Sequence, residues 1–273
     1  MNRLDMKAGC KLTLGFVTLA LLSSPSWAQD DASSLAKQLS NPIASLVSVP
    51  FQANFDRNIG PGDRGDRFTL NVQPVIPFSL NEDWNLISRT ILPVVDQSDI
   101  FPGAGSQSGI GDTVQSLFFS PVQPTSNGWI WGAGPVFLLP TASDDLLGTD
   151  QWGLGPTAVA LKQSGAWTNG GLVNHIWSVA GDNDRPDINQ SFIQPFFSYN
   201  TPTATTLTFT ADSTYNWDTK DWTVPVGVFV SQVFKAGNQI MQIGAGPRYY
   251  VESPDNGPEG WGARVNLVFL FPK

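Results

Sequence analysis

From residue 44 onward, apolar and polar residues alternate along the chain. Val47, Val49, Phe51, Ala53 and Phe55 interleave with Ser48, Pro50, Gln52, Asn54 and Asp56. Phe68, Leu70 and Val72 interleave with Thr69, Asn71 and Gln73, and Ala263, Val265, Leu267, Phe269 and Phe271 with Arg264, Asn266 and their neighbours. Period two over such lengths predicts strands with one apolar and one polar face. About twelve runs follow this rule or approach it. They cover 44–56, 66–79, 84–96, 109–121, 129–141, 152–164, 167–180, 188–200, 205–217, 222–234, 239–251 and 260–271. The alternation is clean in the first, second, ninth and last, and weak in the fourth and seventh. Most runs exceed the five or six residues usual in soluble domains and match the roughly nine to eleven that a tilted strand needs to cross an outer membrane.

The connections alternate too. Residues 57–65, 97–108, 142–151, 181–187 and 252–259 are long, whereas 80–83, 164–166, 200–204 and 235–238 are short. The link 122–128 is intermediate, and 218–221 is short on the long side. This asymmetry predicts an all-β, antiparallel transmembrane β-barrel of about twelve strands, with periplasmic turns and acidic extracellular loops. Tryptophan sorts with it. Trp84, Trp129, Trp131 and Trp167 fall at the periplasmic strand ends, and Trp152, Trp177, Trp217, Trp222 and Trp261 at the outer ends. Indole prefers the membrane–water boundary, so two belts are expected. Parity aims Gln52, Asn54, Asn71, Gln73, Arg89, Asp212, Gln242, Arg248, Arg264 and Asn266 into the lumen. Proline opposes the pattern: Pro50, Pro74, Pro77, Pro135 and Pro195 lie inside proposed strands and each removes a ladder donor.

Composition narrows the setting. Arg3, Lys7 and Lys11 precede the apolar run 12–22, and Ser26-Trp27-Ala28 offers a cleavage site, so residues 1–28 read as a signal peptide. Cys10 is the only cysteine and would leave with it, which removes disulfide and thiol chemistry. Residues 29–43 read as a short helix or a loose periplasmic arm, and 44–273 as the barrel. A net charge of −8 with only 14% charged residues argues against nucleic acid. The expected location is the bacterial outer membrane, with its lipids as partners.

Chemical motifs are sparse. Trp131-Gly132-Ala133-Gly134-Pro135, Trp152-Gly153-Leu154-Gly155-Pro156 and Gly244-Ala245-Gly246-Pro247 share a Gly-x-Gly-Pro core, and Gly109-Ile110-Gly111-Asp112 is similar. No helix and no Lys-Ser/Thr pair follows, so these glycines read as places where strands bend or approach closely, not as phosphate loops. His175 is the only histidine. A lipid hydrolase would pair it with a serine, and Ser178 and Ser191 are close in sequence, yet neither stands out. A structural or pore-lining histidine is the preferred reading. No His, Cys or carboxylate spacing indicates a metal, and no cofactor is expected.

The stretches Trp131 to Pro135 and Leu139-Pro140-Thr141, then Gly153 to Pro156, Asn174-His175-Ile176-Trp177-Ser178 and Leu270-Phe271-Pro272-Lys273, resemble a family of outer-membrane transporters. That family is named for the meta-cleavage pathway of phenol degradation. The resemblance implies uptake of small, often aromatic, compounds and assigns no binding residue. The leading expectation is a non-enzymatic channel for passive passage of small solutes, aromatic or hydrophobic ones included. The alternatives are a lipid-acting enzyme using His175 and a non-conducting structural or adhesive barrel.

Overall fold

The structure is a computed structural model that describes residues 27–272; the signal-peptide reading falls largely outside the described residues. One helix, α1 (Trp27–Leu39), precedes fifteen strands. These are β1 (Val47–Ile59), β2 (Gly65–Val72), β3 (Val75–Ser79), β4 (Trp84–Ser98), β5 (Ser106–Ile110), β6 (Thr113–Pro121), β7 (Trp129–Leu139) and β8 (Gln151–Ser164). There follow β9 (Trp167–Gly181), β10 (Asn189–Asn200), β11 (Thr205–Ala211), β12 (Ser213–Asn216), β13 (Asp221–Ala236), β14 (Gln239–Glu252) and β15 (Gly260–Phe271). The pairs β2/β3, β5/β6 and β11/β12 are each one interrupted stave, which leaves twelve staves. All neighbours are antiparallel, and β15 pairs β1 from Val47↔Phe271 to Phe55↔Ala263, so the sheet closes. The fold is a twelve-stave transmembrane β-barrel.

The interruptions keep their backbone groups paired. At the first, Gln73 N donates to Pro50 O at 2.8 Å and Thr90 N to Pro74 O at 3.1 Å. At the second, Gly111 N donates to Pro93 O at 2.9 Å and Thr113 N to Thr141 Oγ1 at 3.0 Å. At the third, Asp212 N donates to Pro225 O at 3.0 Å. No water reaches the middle of a bilayer, so these substitutes keep a broken stave tolerable there.

Prolines of the Gly-x-Gly-Pro motifs sit beside gaps in the ladder. Pro135 pairs with Pro156 across β7 and β8, both outward. The β6–β7 register skips from Ser116↔Val136 to Phe119↔Ala133, β8–β9 from Leu154↔Trp177 to Thr157↔Asn174, and β13–β14 from Gly227↔Arg248 to Val230↔Ala245. At each gap a glycine faces a neighbouring carbonyl: Gly134 faces Leu117 O, Gly155 faces His175 O, and Gly246 faces Val228 O. A Cβ at any of the three would overlap that oxygen. The motif therefore lets a neighbouring strand lean in where proline has removed a bond.

All nine named tryptophans have outward parity, with Trp84 against Trp131 in an edge contact at 5.9 Å and Tyr249 against Trp261 at 5.0 Å. The inner face is not uniformly polar. Ile87, Phe118, Val159, Leu161, Leu172 and Phe196 are buried inward and pack around Ile43, which precedes β1. These staves are apolar on both faces, which explains the weak alternation of the fourth and seventh runs. Helix α1 lies within the barrel at the end that carries the short turns. Leu35 packs with Leu46, Val268 and Leu270, and Ala36 with Ala204 and Val233. Gln163 Nε2 donates to Lys37 O at 2.8 Å, and Ile43 N donates to Asn41 Oδ1 at 3.0 Å as the chain turns toward β1.

Replacing Gly134 by Val is expected to destabilise the folded barrel by about 1–3 kcal/mol, because the added carbons meet backbone that cannot rotate away. Gly171→Ala, whose new methyl has its nearest neighbour at 3.6 Å, is expected to stay within about 0.5 kcal/mol. Urea unfolding of protein refolded in micelles measures both.

Candidate functional site

The lumen holds one connected polar network on the wall formed by β1, β11–β15 and their neighbours. Asn54 is its hub: its Oδ1 accepts from Arg248 Nη1 at 2.9 Å and from Arg264 Nε at 2.7 Å. Arg264 Nη2 binds Asp212 Oδ2 at 2.6 Å. Asp212 Oδ1 accepts from Gln194 Nε2 at 2.7 Å and Thr210 Oγ1 at 3.2 Å. Arg248 makes an ion pair with Asp56 at 3.5 Å and donates to Tyr250 Oη at 3.0 Å. The Arg264 guanidinium carbon stands 5.1 Å from the centroid of the Phe229 ring, and that of Arg248 5.2 Å from the centroid of the Tyr250 ring. Both arginines are almost fully buried, at 7% and 6% exposure. Such charges persist only because acceptors meet them on several sides.

Arg89 is held differently. Its Nη2 donates to Gln73 Oε1 at 3.0 Å, and among the described residues it forms no ion pair. It borders a lumen cavity of about 260 Å³ with Gln52, Gln242, Asn266 and, from the segment after α1, Pro42. A second cavity of about 240 Å³ shares Leu39, Pro42, Gln52, Thr208 and Gln242 with the first, so the two adjoin. Asn71 also points inward, opposite Gln52, but lies outside both linings. The structure thus brings Asn54, Asp212, Arg248 and Arg264 into one cluster and sets Gln52, Gln73, Arg89, Gln242 and Asn266 around the adjoining space.

Sequence reasoning missed several polar contacts elsewhere in the lumen and at its mouth. Arg67 donates through Nε to Gln97 Oε1 at 2.8 Å, and Gln97 Nε2 in turn reaches Leu146 O at 3.1 Å. Residues 140–150 therefore fold against the long-loop mouth of the barrel. Asp112 pins that loop, accepting from Ala142 N at 3.2 Å and from both Thr149 N and Thr149 Oγ1 at 2.6 Å. Arg185 holds its far side through Asp145 O at 2.6 Å and an ion pair to Asp150 at 3.4 Å. Asp112 closed a Gly-x-Gly segment in the sequence, yet nothing in spacing tied it to Thr149.

His175 corrects an expectation. It is not pore-lining: it pairs with Ser191 across β9 and β10 and shares outward parity with Val173 and Trp177, which are 46% and 48% exposed. Parity alone was ambiguous because both faces of β9 carry apolar residues. Among the described residues, no three His, Cys, Asp or Glu side chains are grouped to hold a metal ion.

No family model and no curated protein matches this chain. Among solved structures, an outer membrane channel from Pseudomonas putida F1 is similar, with a TM-score of 0.64 and 18% identity, covering 83% of this chain and 94% of that one. Outer membrane phospholipase A from Escherichia coli gives a TM-score of 0.48 at 13% identity, covering 89% and 98%. The beta domain of a Bordetella autotransporter gives 0.43 at 11%, covering 82% and 99%. The first likeness shows the fold; the other two are too loose to add to it.

Asp212→Ala leaves Arg264 buried without its counter-ion and is expected to cost about 3–5 kcal/mol. The denaturation midpoint in micelles checks this, and the double change Asp212→Leu with Arg264→Met is expected to recover most of the loss.

Proposed function

We propose that the protein is a bacterial outer-membrane channel through which small solutes pass by diffusion alone. The observation that carries this reading is the pair of adjoining lumen cavities beside Arg89, walled by amides and hydroxyls. Their combined size suits small molecules rather than peptides or folded substrates. The apolar outer surface with aromatic belts at both ends fits a bilayer, and the shared fold of the Pseudomonas putida channel fits the same role. The sequence resemblance favours small aromatic or hydrophobic compounds as cargo, as in the transporter family of phenol degradation. Aromatic rings could lie against the inward Phe229 and Pro42 that border the first cavity.

Lumen charge adds a preference. Around the Asn54 cluster and the adjoining cavities, Arg67, Arg89, Arg248 and Arg264 face inward against Asp56 and Asp212, a local excess of two positive charges. A narrow passage with that excess favours anions over cations. Helix α1 and Ile43 occupy the periplasmic half and set the conductance.

Planar-bilayer recording tests the reading. Discrete openings with anion preference in a salt gradient are expected, and Arg89→Glu is expected to reverse the sign of the preference. Ala36→Glu puts a charge where Ala36 is fully buried against Ala204 and Val233. It is expected to undock α1 and raise conductance several-fold. A folded protein that shows no openings, with or without Ala36→Glu, rejects the channel.

A further inference from the structure

The outward face of β9 and β10 holds a group that the channel does not use. His175 and Ser191 stand opposite each other in the β9–β10 register. Ser191 Oγ lies 2.8 Å from His175 Nδ1 and accepts a hydrogen bond from Trp217 Nε1 at 2.9 Å. Indole only donates, so the Trp217 bond leaves the serine proton free to point at the imidazole, which accepts it at Nδ1 in the tautomer that carries its proton on Nε2. No acceptor for Nε2 is found among the described residues. The His175 ring packs against Trp177 with centroids 4.0 Å apart, which fixes its orientation without a carboxylate.

Two further observations point to a substrate. Trp152, Trp177, Trp217 and Trp222 mark the outer aromatic belt, so the pair lies near the level where lipid headgroups meet acyl chains. Beside Ser191 runs a groove of about 390 Å³ walled by Ala133, Pro156, Ala158, Val173 and Ile193. Small outward side chains of two Gly-x-Gly-Pro motifs hollow the wall there. Thr157 and Asn174 add polar groups to a lining that is otherwise apolar beyond Ser191 and suits an acyl chain.

We propose that Ser191 and His175 form a nucleophile–base pair that hydrolyses acyl esters of lipids lying against the barrel. Ser191 Oγ bonds to the ester carbonyl carbon as its proton passes to His175 Nδ1. Trp217 Nε1–H, already aimed at Oγ, donates to the oxyanion that forms. The tetrahedral species collapses, and the alcohol leaves with the proton from His175, giving an acyl-serine. Water then attacks that carbonyl, gives its proton to His175, and releases the fatty acid as Ser191 regains its hydrogen. A single oxyanion donor and no orienting carboxylate among the described residues make this a slow hydrolase. The proposal stands apart from conductance, since the pair faces away from the lumen.

The test uses the full chain refolded in detergent micelles. Wild type is treated with an alkyl fluorophosphonate and mapped by mass spectrometry, and hydrolysis of 4-nitrophenyl laurate is followed in parallel. The expected result is an adduct on Ser191, with hydrolysis abolished in Ser191→Ala and lowered at least tenfold in His175→Phe. Ala158→Trp, which fills the groove, is expected to slow the laurate ester far more than the acetate ester. Heat-modifiable migration confirms that each variant folds. Failure of the wild type to label at Ser191, or laurate hydrolysis by Ser191→Ala equal to wild type, overturns the proposal. Should Ser191→Ala not fold, the wild-type adduct alone decides.

Discussion

A peptide group left unpaired among lipid tails costs several kcal/mol, and the architecture follows from avoiding that cost. Closure between β15 and β1 removes the two edges that an open sheet would expose. Proline sets the harder problem, because it deletes a donor within the spanning region. Where the ladder opens near Pro135, Pro156 and Pro247, an adjacent glycine lets the neighbouring carbonyl approach. Where a stave breaks outright, near Pro74 and at residues 111–112 and 212, the flanking backbone groups find new partners on adjacent staves or on Thr141.

Closure creates a lumen, and the chain fills it in two ways. Ile43 brings an apolar side chain to Ile87, Phe118, Leu161 and Leu172, making one part of the interior a dry core. The opposite wall carries arginines, and these are tolerable only as a network. Asn54 shows the economy of it: one carbonyl oxygen serves two guanidinium groups from adjacent staves, β14 and β15. Arg89 lacks such a partner on its cavity side, and it is there that open space remains.

Much of this was legible in the chain. Staves were readable because period two is strong wherever one face is apolar and the other polar, as in β1 and β15. The outward parity of the named tryptophans was readable from the same period. Inward parity of Gln52, Asn54, Asp212 and Arg264 came from the same rule. Three things were hidden for physical reasons. Staves such as β9 are apolar inside as well as outside, so parity could not seat His175. The partner of His175 depends on register between two strands, which the loop 182–188 does not fix. The clasp of Asp112 and Arg185 on residues 140–150 joins a loop to strand ends without any repeating pattern.

Period two also explains how one wall can serve two environments. Asn174 and His175 are adjacent in sequence, yet one faces the lumen and the other the lipid; Gln190, Ser191 and Phe192 alternate likewise. Chemistry on one face is therefore insulated from the other by the thickness of a single sheet. The insulation is thinnest at the paired Gly-x-Gly-Pro motifs of β7 and β8. There the outward groove is lined by residues of both parities, Ala133 and Pro156 from outside, Gly134, Thr157 and Asn174 from inside. A motif required by proline's missing bond thus also shapes the surface beside Ser191, so its glycines answer to two constraints at once: strand approach inside, and room for a chain outside.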